Sequence, residues 1–194
     1  MSHAVNDEAL DTIFRAARTH RHWLDKPVGT ALLMAVYDLM RMGPTSGNCC
    51  PARIVFVVSK AAKERLKPHL DAFNVEKTMT AAATAILAYD LDFPRYLSKL
   101  NPRLNPNEFD DADSRQVTAF RSATLQAGYF ILAARALGLD CGPMSGFNNA
   151  GVDREFFAGT AIKSNFLCNL GTGDASHLHP RAPRLDFDEA CRIE

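Results

Sequence analysis

Apolar residues recur at helical spacing twice in the first third of the chain. The first set repeats every three to four residues and consists of Leu10, Ile13, Phe14 and Ala17. It predicts a helix that Asn6 or Asp7 caps and that ends near Thr19. The second set consists of Leu32, Leu33, Val36, Leu39 and Met40. Gly43 follows it where a left-handed C-terminal residue is expected, and Pro44 cannot continue a helix, so the second helix is predicted to end there.

Short, uninterrupted apolar runs predict three strands, at Ile54–Val58, Thr84–Tyr89 and Asn165–Leu170. The first run is continuous rather than alternating, so we expect a strand that is covered on both faces. A helix is predicted between the first two strands, at Ala61–Leu70.

The longest helical pattern covers Arg115–Leu137, and Gly138 ends it. Its second half is apolar nearly all round, which is typical of a helix buried in a core or an interface. Ahead of it, Asn101–Ser114 is rich in Pro, Asn and Asp and is predicted to be an exposed loop, either a lid or a solvated excursion. Helices and strands do not alternate as a regular βαβ series, which favours an α+β fold with a central helix.

Composition narrows the classes of function. The chain has 194 residues, of which 47% are hydrophobic, and one domain is predicted to span residues 1–194. Lys and Arg number 22, and so do Asp and Glu, so no charge excess indicates nucleic acid or a membrane as a partner. No apolar run reaches the roughly 18 residues of a membrane span, and the polar N-terminus does not resemble a signal peptide. The expected location is the cytoplasm.

Thiol and metal chemistry receive little support. The 5 cysteines match no zinc or disulfide framework, and the adjacent Cys49 and Cys50 lack the CxxC spacing of redox proteins. No metal site is assigned, because no helical i, i+4 pair occurs among His20, His22, His177 and His179.

Polar turns carry the candidate chemistry. Residues 43–53 (GPTSGNCCPAR) place hydroxyl and amide side chains between prolines and glycines, so they can present a rigid polar edge to a flat, heteroatom-rich ligand. Residues 142–147 (GPMSGF) form a second such loop, whose glycines let backbone N–H groups approach a ligand. Residues 18–22 (RTHRH) can clasp a phosphate, although such a cluster is also typical of a solvated helix C-terminus. No GxGxxG or Walker A motif is present.

These turns match a known family in the same order along the chain. The matching segments are ARTHRHWLDKPV (17–28), GPTSGNCCPARIVF (43–56), NVEKTMTAAATAILAYD (74–90), GLDCGPMSGFNNAGVD (138–153), KSNFLCNLGTGD and HPRAPRLDFDEA. Over essentially its whole length the chain resembles the FMN-dependent nitroreductases, and within them the branch that holds the malonic semialdehyde reductase of pyrimidine degradation. The resemblance implies a nitroreductase-like fold, in which helices flank a central mixed β-sheet, and a homodimer with FMN at its interface.

The resemblance also implies a role for each candidate residue. Those expected at the FMN phosphate and ribityl chain are Arg18, Thr19, His20, Arg181 and Arg184. Those expected beside the isoalloxazine ring are Pro44, Thr45, Ser46 and Asn48. Those expected at the polar edge of the ring are Asn74 and Lys77, and those expected near its N5 atom are Pro143, Met144, Ser145 and Gly146.

The implied activity is hydride transfer from NADH or NADPH, through flavin N5, to a small-molecule substrate. In the resembling branch this is a small aldehyde acid, malonic semialdehyde, which gives 3-hydroxypropanoate. Two departures from the wider family, Cys50-Pro51-Ala52 in place of Gln-Pro-Trp and Ser145 in place of Glu, bear on nitroaromatic preference and nicotinamide contacts. A broad NAD(P)H nitro- or quinone reductase is the alternative, and a non-catalytic flavin-binding module is another. A substrate carboxylate requires a cation, for which Arg53, Arg103 and Arg121 are candidates.

Overall fold

The structure is a computed structural model that describes residues 3–194. Its strands are β1 (Ala52–Val57), β2 (Ala83–Asp90), β3 (Asp140–Met144) and β4 (Ile162–Gly171). Its helices are α1 (Asp7–Leu10), α2 (Thr30–Met40), α3 (Lys60–Leu66), α4 (Ala72–Thr80), α5 (Leu97–Leu100), α6 (Ala112–Ala136), α7 (Asn149–Phe156) and α8 (Phe187–Ala190). Within residues 3–194 the strands form one sheet in the order β1-β2-β4-β3. The predicted α+β class is confirmed.

Helices cover both faces of the central strand β2, so every residue of that strand is buried. Ala85 and Leu87 pack in one core cluster with residues of α2 and α6. Ile86 and Ala88, which alternate with them, pack in a second cluster with residues of α3 and α7. The sheet therefore separates an α2–α6 layer from a layer that holds α3 and α7.

Helix α4 lies on the same face of the sheet as α3 and α7. Asn169 of β4 alternates with Cys168, which packs in the α2–α6 core, and its side chain therefore projects to the other face. There its Nδ2 atom donates to the carbonyl of Lys77 in α4 at 3.1 Å. The side chains of α4 are therefore found on the α3–α7 side of the sheet.

The long helix predicted over residues 115–137 is confirmed as α6. It begins at Ala112, where the Asp111 side chain accepts a hydrogen bond from the Ser114 N–H at 2.8 Å, and Gly138 ends it with a φ of 80°. The predicted exposed loop before it contains a 3₁₀ turn at Pro106–Phe109, and its last three residues belong to α6. No helix between residues 3 and 194 combines the length and apolar character that crossing a membrane requires.

Strand β1 is packed on both faces as predicted, with Phe56 against the α2–α6 cluster and Val55 and Val57 in the other cluster. It is nevertheless an edge strand, and only Val57 among its residues is fully buried. The expectation of a mixed sheet was wrong, because the three strand pairings within residues 3–194 are all antiparallel. The parallel component is an isolated bridge between Thr19 and Cys141.

Several helix and strand boundaries differ from those that the local sequence predicted. Residues 142–147 were predicted to be a loop, but Gly142 and Pro143 belong to the edge strand β3, where a missing N–H is tolerated. Helices α4 and α7 were not predicted, since both are short and carry few apolar residues, and the residues that α4 buries are the polar Asn74 and Thr78. The first helix ends earlier than Thr19, in a π-helical turn at Asp11–Arg15, although Asn6 caps it as predicted.

Gly43 is required by a close contact and not by a left-handed backbone. Its φ is not positive, whereas Gly47 has a φ of 55° and the neighbouring Asn48 and Cys50 have values of 55° and 42°. A Cβ on Gly43 would lie 2.1 Å from Cδ2 of Tyr129, whose hydroxyl donates to the carbonyl of Pro44 at 3.1 Å. The Tyr129 ring of α6 thus fixes the backbone at Gly43 and Pro44, where the polar turn of residues 43–53 begins.

We predict that Gly43→Ala destabilises the fold by about 1–3 kcal/mol, because the added methyl group overlaps the Tyr129 ring. Gly128→Ala is the matched control, since its Cβ would meet nothing within 4 Å. It removes a glycine from the interior of α6 and is expected to stabilise by about 0.5–1 kcal/mol. Urea unfolding of both variants measures the difference, and equal midpoints would refute the proposed role of Tyr129.

Candidate functional site

One cavity of about 630 Å³ is lined by arginines that have no carboxylate partner. Among residues 3–194, no carboxylate lies within 4.0 Å of the side chains of Arg18, Arg21, Arg135, Arg181 and Arg184. Arg15 also lines the cavity, but it forms ion pairs with Asp7 at 2.8 Å and with Asp11 at 2.6 Å. We call this site, which also includes Thr19, the basic cavity. So many uncompensated cations favour an anionic ligand.

The basic cavity forms where the C-terminal segment lies against the end of the first helical segment. Arg181 donates to the carbonyls of Arg15 and Ala17 at 2.7 and 2.8 Å. Arg18 donates in return to the carbonyl of His179. These bonds bring together Arg18, Thr19, Arg181 and Arg184, which are far apart in sequence and were predicted to share a phosphate.

His20 was predicted to contact the same phosphate, but its side chain does not line the basic cavity. It is buried, with Nε2 at 3.4 Å from a carboxylate oxygen of Asp140, and its backbone N–H donates to the carbonyl of Cys141 at 3.0 Å. We therefore assign His20 a structural role, in which it holds its segment against β3.

A second polar group lies where α4 meets the chain that leaves β3. Asn74 is fully buried, and its Nδ2 donates to the carbonyl of Gly146 at 2.6 Å. Its Oδ1 is also buried and has no hydrogen-bond partner among residues 3–194. A Cβ on Gly146 would lie 2.6 Å from Asn74 Nδ2, so only glycine allows this approach. We call Asn74, Lys77, Met144, Ser145 and Gly146 the amide corner.

Lys77 is held in the amide corner through its backbone. Its carbonyl accepts hydrogen bonds from Trp23 Nε1 at 2.9 Å and from Asn169 Nδ2 at 3.1 Å. Its ammonium group lies 5.3 Å from the centre of the Phe73 ring. Partial burial, and then the positive charge of Arg21, lower the pKa of Lys77. The corner is therefore an electropositive site beside an unused amide acceptor.

Residues 18–23 connect the basic cavity with the amide corner. They run along the outer edge of β3, where Thr19 pairs with Cys141, and they reach α4 through the indole of Trp23. Arg21 lines the basic cavity and is close enough to Lys77 to lower its pKa. The two groups thus form one continuous strip of donors around the β3 edge.

The third predicted group, the polar loop of Pro44, Thr45, Ser46 and Asn48, lies elsewhere. Asn48 donates to the carbonyl of Leu100 at 2.8 Å, and Asn101 donates to the carbonyl of Gly47 at 3.0 Å. The loop follows α2 and contacts Tyr129 of α6, so it belongs to the α2–α6 layer. The amide corner belongs to the opposite layer.

Register through the sheet shows how far apart these groups lie. Met144, Leu167, Ile86 and Val55 are successive cross-strand partners. Three strand spacings therefore separate Met144 from β1, about 14 Å. The polar loop enters β1 at Ala52, three residues or about 10 Å farther along the strand. The amide corner and the polar loop of one chain therefore lie at diagonal corners, on opposite faces of its sheet.

Sequence reasoning missed three residues of this arrangement. Arg21 lies in the predicted phosphate-binding segment, residues 18–22. Its proximity to Lys77, however, depends on α4, which was not predicted. Arg135 lies near the end of the long helical pattern, where a basic residue is common and does not indicate a site. Trp23 gave no signal, because its role is a single hydrogen bond to the backbone of a distant helix.

The structure gives little support to the other chemistry considered from the sequence, namely carboxylate binding by Arg53, a reactive thiol and a metal site. Arg53, a candidate for binding a substrate carboxylate, donates to Asp90 at 2.8 Å and to the carbonyls of Cys50 and Ala52. Burial raises the pKa of the Cys49 thiol, which disfavours the reactive thiolate. Across residues 3–194, no three His, Cys, Asp or Glu side chains are grouped in a way that suits a metal ion.

Comparison with known proteins gives a consistent family match. A sequence model described as "Nitroreductase family" matches residues 14–171. Relatives from Stenotrophomonas maltophilia and Burkholderia lata are both named "Putative NADH dehydrogenase/NAD(P)H nitroreductase". The first is 55% identical over 195 residues and covers 100% of both chains. The second is 54% identical over 192 residues and covers 98% of each.

Solved structures share the fold at much lower identity. A nitroreductase family protein from Streptococcus pneumoniae aligns with a TM-score of 0.82 and 20% identity, covering 96% of this chain and 98% of that one. A structure from Exiguobacterium sibiricum, solved in complex with FMN, aligns with a TM-score of 0.83 and 16% identity over the whole of both chains. At these identities the likeness describes the fold alone.

Proposed function

Because the chain belongs to the nitroreductase family, we propose that it is an NAD(P)H-dependent oxidoreductase that binds FMN between the two subunits of a homodimer. The observation that carries this proposal is the strip of donors around the β3 edge, with uncompensated arginines at one end and an unpartnered buried amide oxygen at the other. When bound, FMN supplies the hydride chemistry, accepting from the nicotinamide and delivering to the oxidised substrate.

The basic cavity suits the phosphate end of FMN. A phosphate dianion accepts several charge-assisted hydrogen bonds, and guanidinium groups provide them in a planar fork. Arg18, Arg181 and Arg184 offer such groups from two separate segments. The hydroxyl-bearing Thr19 lies in the same wall and suits the ribityl chain.

The amide corner suits the polar edge of the flavin ring, which carries an imide N–H between two carbonyl oxygens. Asn74 Oδ1 is an acceptor without a partner, and leaving such an atom buried and unpaired costs about 1–3 kcal/mol. An imide N–H would satisfy it. Lys77, next to it, is a cation for the charge that develops on this edge during reduction. An anion beside Lys77 also offsets the lowering of its pKa, because it favours the charged ammonium.

A second copy of the chain is the natural source of the missing half-site. The polar loop cannot reach the amide corner of its own chain, because the sheet lies between them. The α2–α6 layer also exposes large apolar side chains, namely Met34, Leu39, Met42, Val117, Phe120 and Leu125. We propose that a symmetric dimer covers this surface and that, around its edge, the polar loop of each subunit supplements the amide corner of the other.

For the substrate, we propose a small aldehyde acid, with malonic semialdehyde reduced to 3-hydroxypropanoate in pyrimidine degradation. Lys77 in the amide corner, and Arg21, which is close enough to lower the pKa of Lys77, replace Arg53, which is paired with Asp90, as candidates for the carboxylate. The exposed Ser145 belongs to the same corner and is a candidate proton donor. A broad nitro- or quinone reductase is the second candidate, and the names of the 54–55% identical relatives favour it.

We predict that the protein binds FMN and that NADH or NADPH bleaches the bound flavin under anaerobic conditions. Arg18→Ala should weaken FMN binding about tenfold or more, because a charge-assisted phosphate contact is lost. Arg154→Ala, outside the basic cavity, is the control and should bind FMN normally. Absorption spectra and fluorescence titration provide the measurements. A flavin that neither nucleotide bleaches would indicate a non-catalytic module instead.

We predict that kcat/KM for malonic semialdehyde exceeds that for nitroaromatics and quinones by about tenfold or more, because the cations near the amide corner bind a carboxylate. Steady-state assays with both nicotinamide donors measure the ratio. The reverse preference would favour the nitro- or quinone reductase.

The shared site predicts complementation between two inactive variants. Arg18→Ala combined with Lys77→Met damages one half-site, and Ser46→Trp obstructs the other. When the two chains are unfolded and refolded together, random pairing makes half of the dimers mixed, with one intact site in two, so about a quarter of wild-type activity should return. Each variant refolded alone is the control. No recovery in dimers that are verified by mass would mean that one chain supplies the whole site.

A further inference from the structure

We propose that Arg135, at the end of α6, is an additional phosphate-binding residue that makes the basic cavity selective for the phosphorylated flavin over riboflavin. The inference rests on the proposed function, since it names a further contact for the same ligand. It concerns a residue outside the polar turns, on a helix that otherwise builds the core.

The hydrogen bonds of Arg135 leave one whole edge of its guanidinium free. Nη1 donates to the carbonyl of Ile13 at 3.0 Å. Nε is buried and has no partner, and Nη2 makes no hydrogen bond to any residue between 3 and 194. Nε and Nη2 lie on the same edge of the planar group, which is the edge that grips a phosphate or carboxylate with two parallel bonds.

The place of Arg135 in the fold connects it with the proposed ligand. Arg135 lines the basic cavity together with Arg18 and Arg181. No carboxylate among residues 3–194 lies within 4.0 Å of it. Because Nε is buried, pairing both donors with a phosphate requires the guanidinium to turn toward the cavity, and the hydrogen bond that would have to adjust is the one to Ile13.

A purely structural role for Arg135 is the alternative to phosphate binding, and it predicts a different result. Its bond to Ile13 ties α6 to the π-helical turn at Asp11–Arg15, and a cation in the last turn of a helix is favourable in itself. If this tie were its whole role, loss of Arg135 would weaken the binding of every flavin equally, through the position of residues 13–18.

The test compares the affinities of FMN and riboflavin for Arg135→Met, measured by quenching of flavin fluorescence. We expect the affinity for FMN to fall about tenfold or more and the affinity for riboflavin to stay within about twofold, because only the phosphate contact is removed. Arg135→Lys keeps the charge but not the fork, and its loss of FMN affinity should be intermediate. Arg154→Met, the same charge change outside the cavity, should leave both affinities unchanged.

Two results would overturn the inference, namely an equal loss for both flavins and an unchanged affinity for FMN. Thermal unfolding identifies a variant that is destabilised, and Arg135→Lys then supplies the comparison of the two flavins. A wild-type protein that binds neither flavin, or binds both with equal affinity, would instead remove the phosphate assignment of the proposed function. The two failures are thus distinguishable.

Discussion

The carbonyl oxygen of Lys77 joins three distant parts of the chain, and the geometry of the site depends on it. It accepts one hydrogen bond from the indole of Trp23 and another from the amide of Asn169. Asn169 is buried and accepts in turn from the hydroxyl of Thr84 at 2.7 Å. Buried polar groups are costly unless they are paired, so this network allows α4 a single position on the sheet. The same position brings Asn74 against Gly146 and Lys77 toward Arg21.

The parts of the fold that the sequence predicted have long, regular apolar patterns. The stripe of α2, the length of α6 and the continuous runs of β2 and β4 each identify an element without help from tertiary contacts. Strand β3 was missed because Gly142 and Pro143 are typical of turns, and only the sheet edge makes them compatible with a strand. Helix α4 was missed because its apolar positions are few, and hydrogen bonds rather than an apolar stripe hold it in place.

The candidate site was predictable only in part, for a related reason. Asn74 and Lys77 were identified only through the family resemblance, because nothing in their local sequence distinguishes them from surface residues. Arg18 lies in a basic cluster that already indicated a phosphate, although the same cluster is typical of a helix C-terminus. Arg21 and Arg135 became visible only when folding placed them beside other cations without a carboxylate. Such a grouping of like charges is a property of the three-dimensional arrangement, and no spacing along the chain encodes it. For the same reason, no pattern along the chain indicates that the sheet separates the polar loop from the amide corner.

The outer edge of strand β1 affects how the chain behaves while it folds. This edge is not paired with another strand within residues 3–194, and the strand's apolar side chains other than Val57 are only half-buried. An exposed edge of this kind is a template on which other chains add strands. A newly made chain is therefore most prone to aggregate while this edge is uncovered and other incompletely folded chains are abundant. Slower synthesis at low temperature keeps such chains scarce and should reduce aggregation.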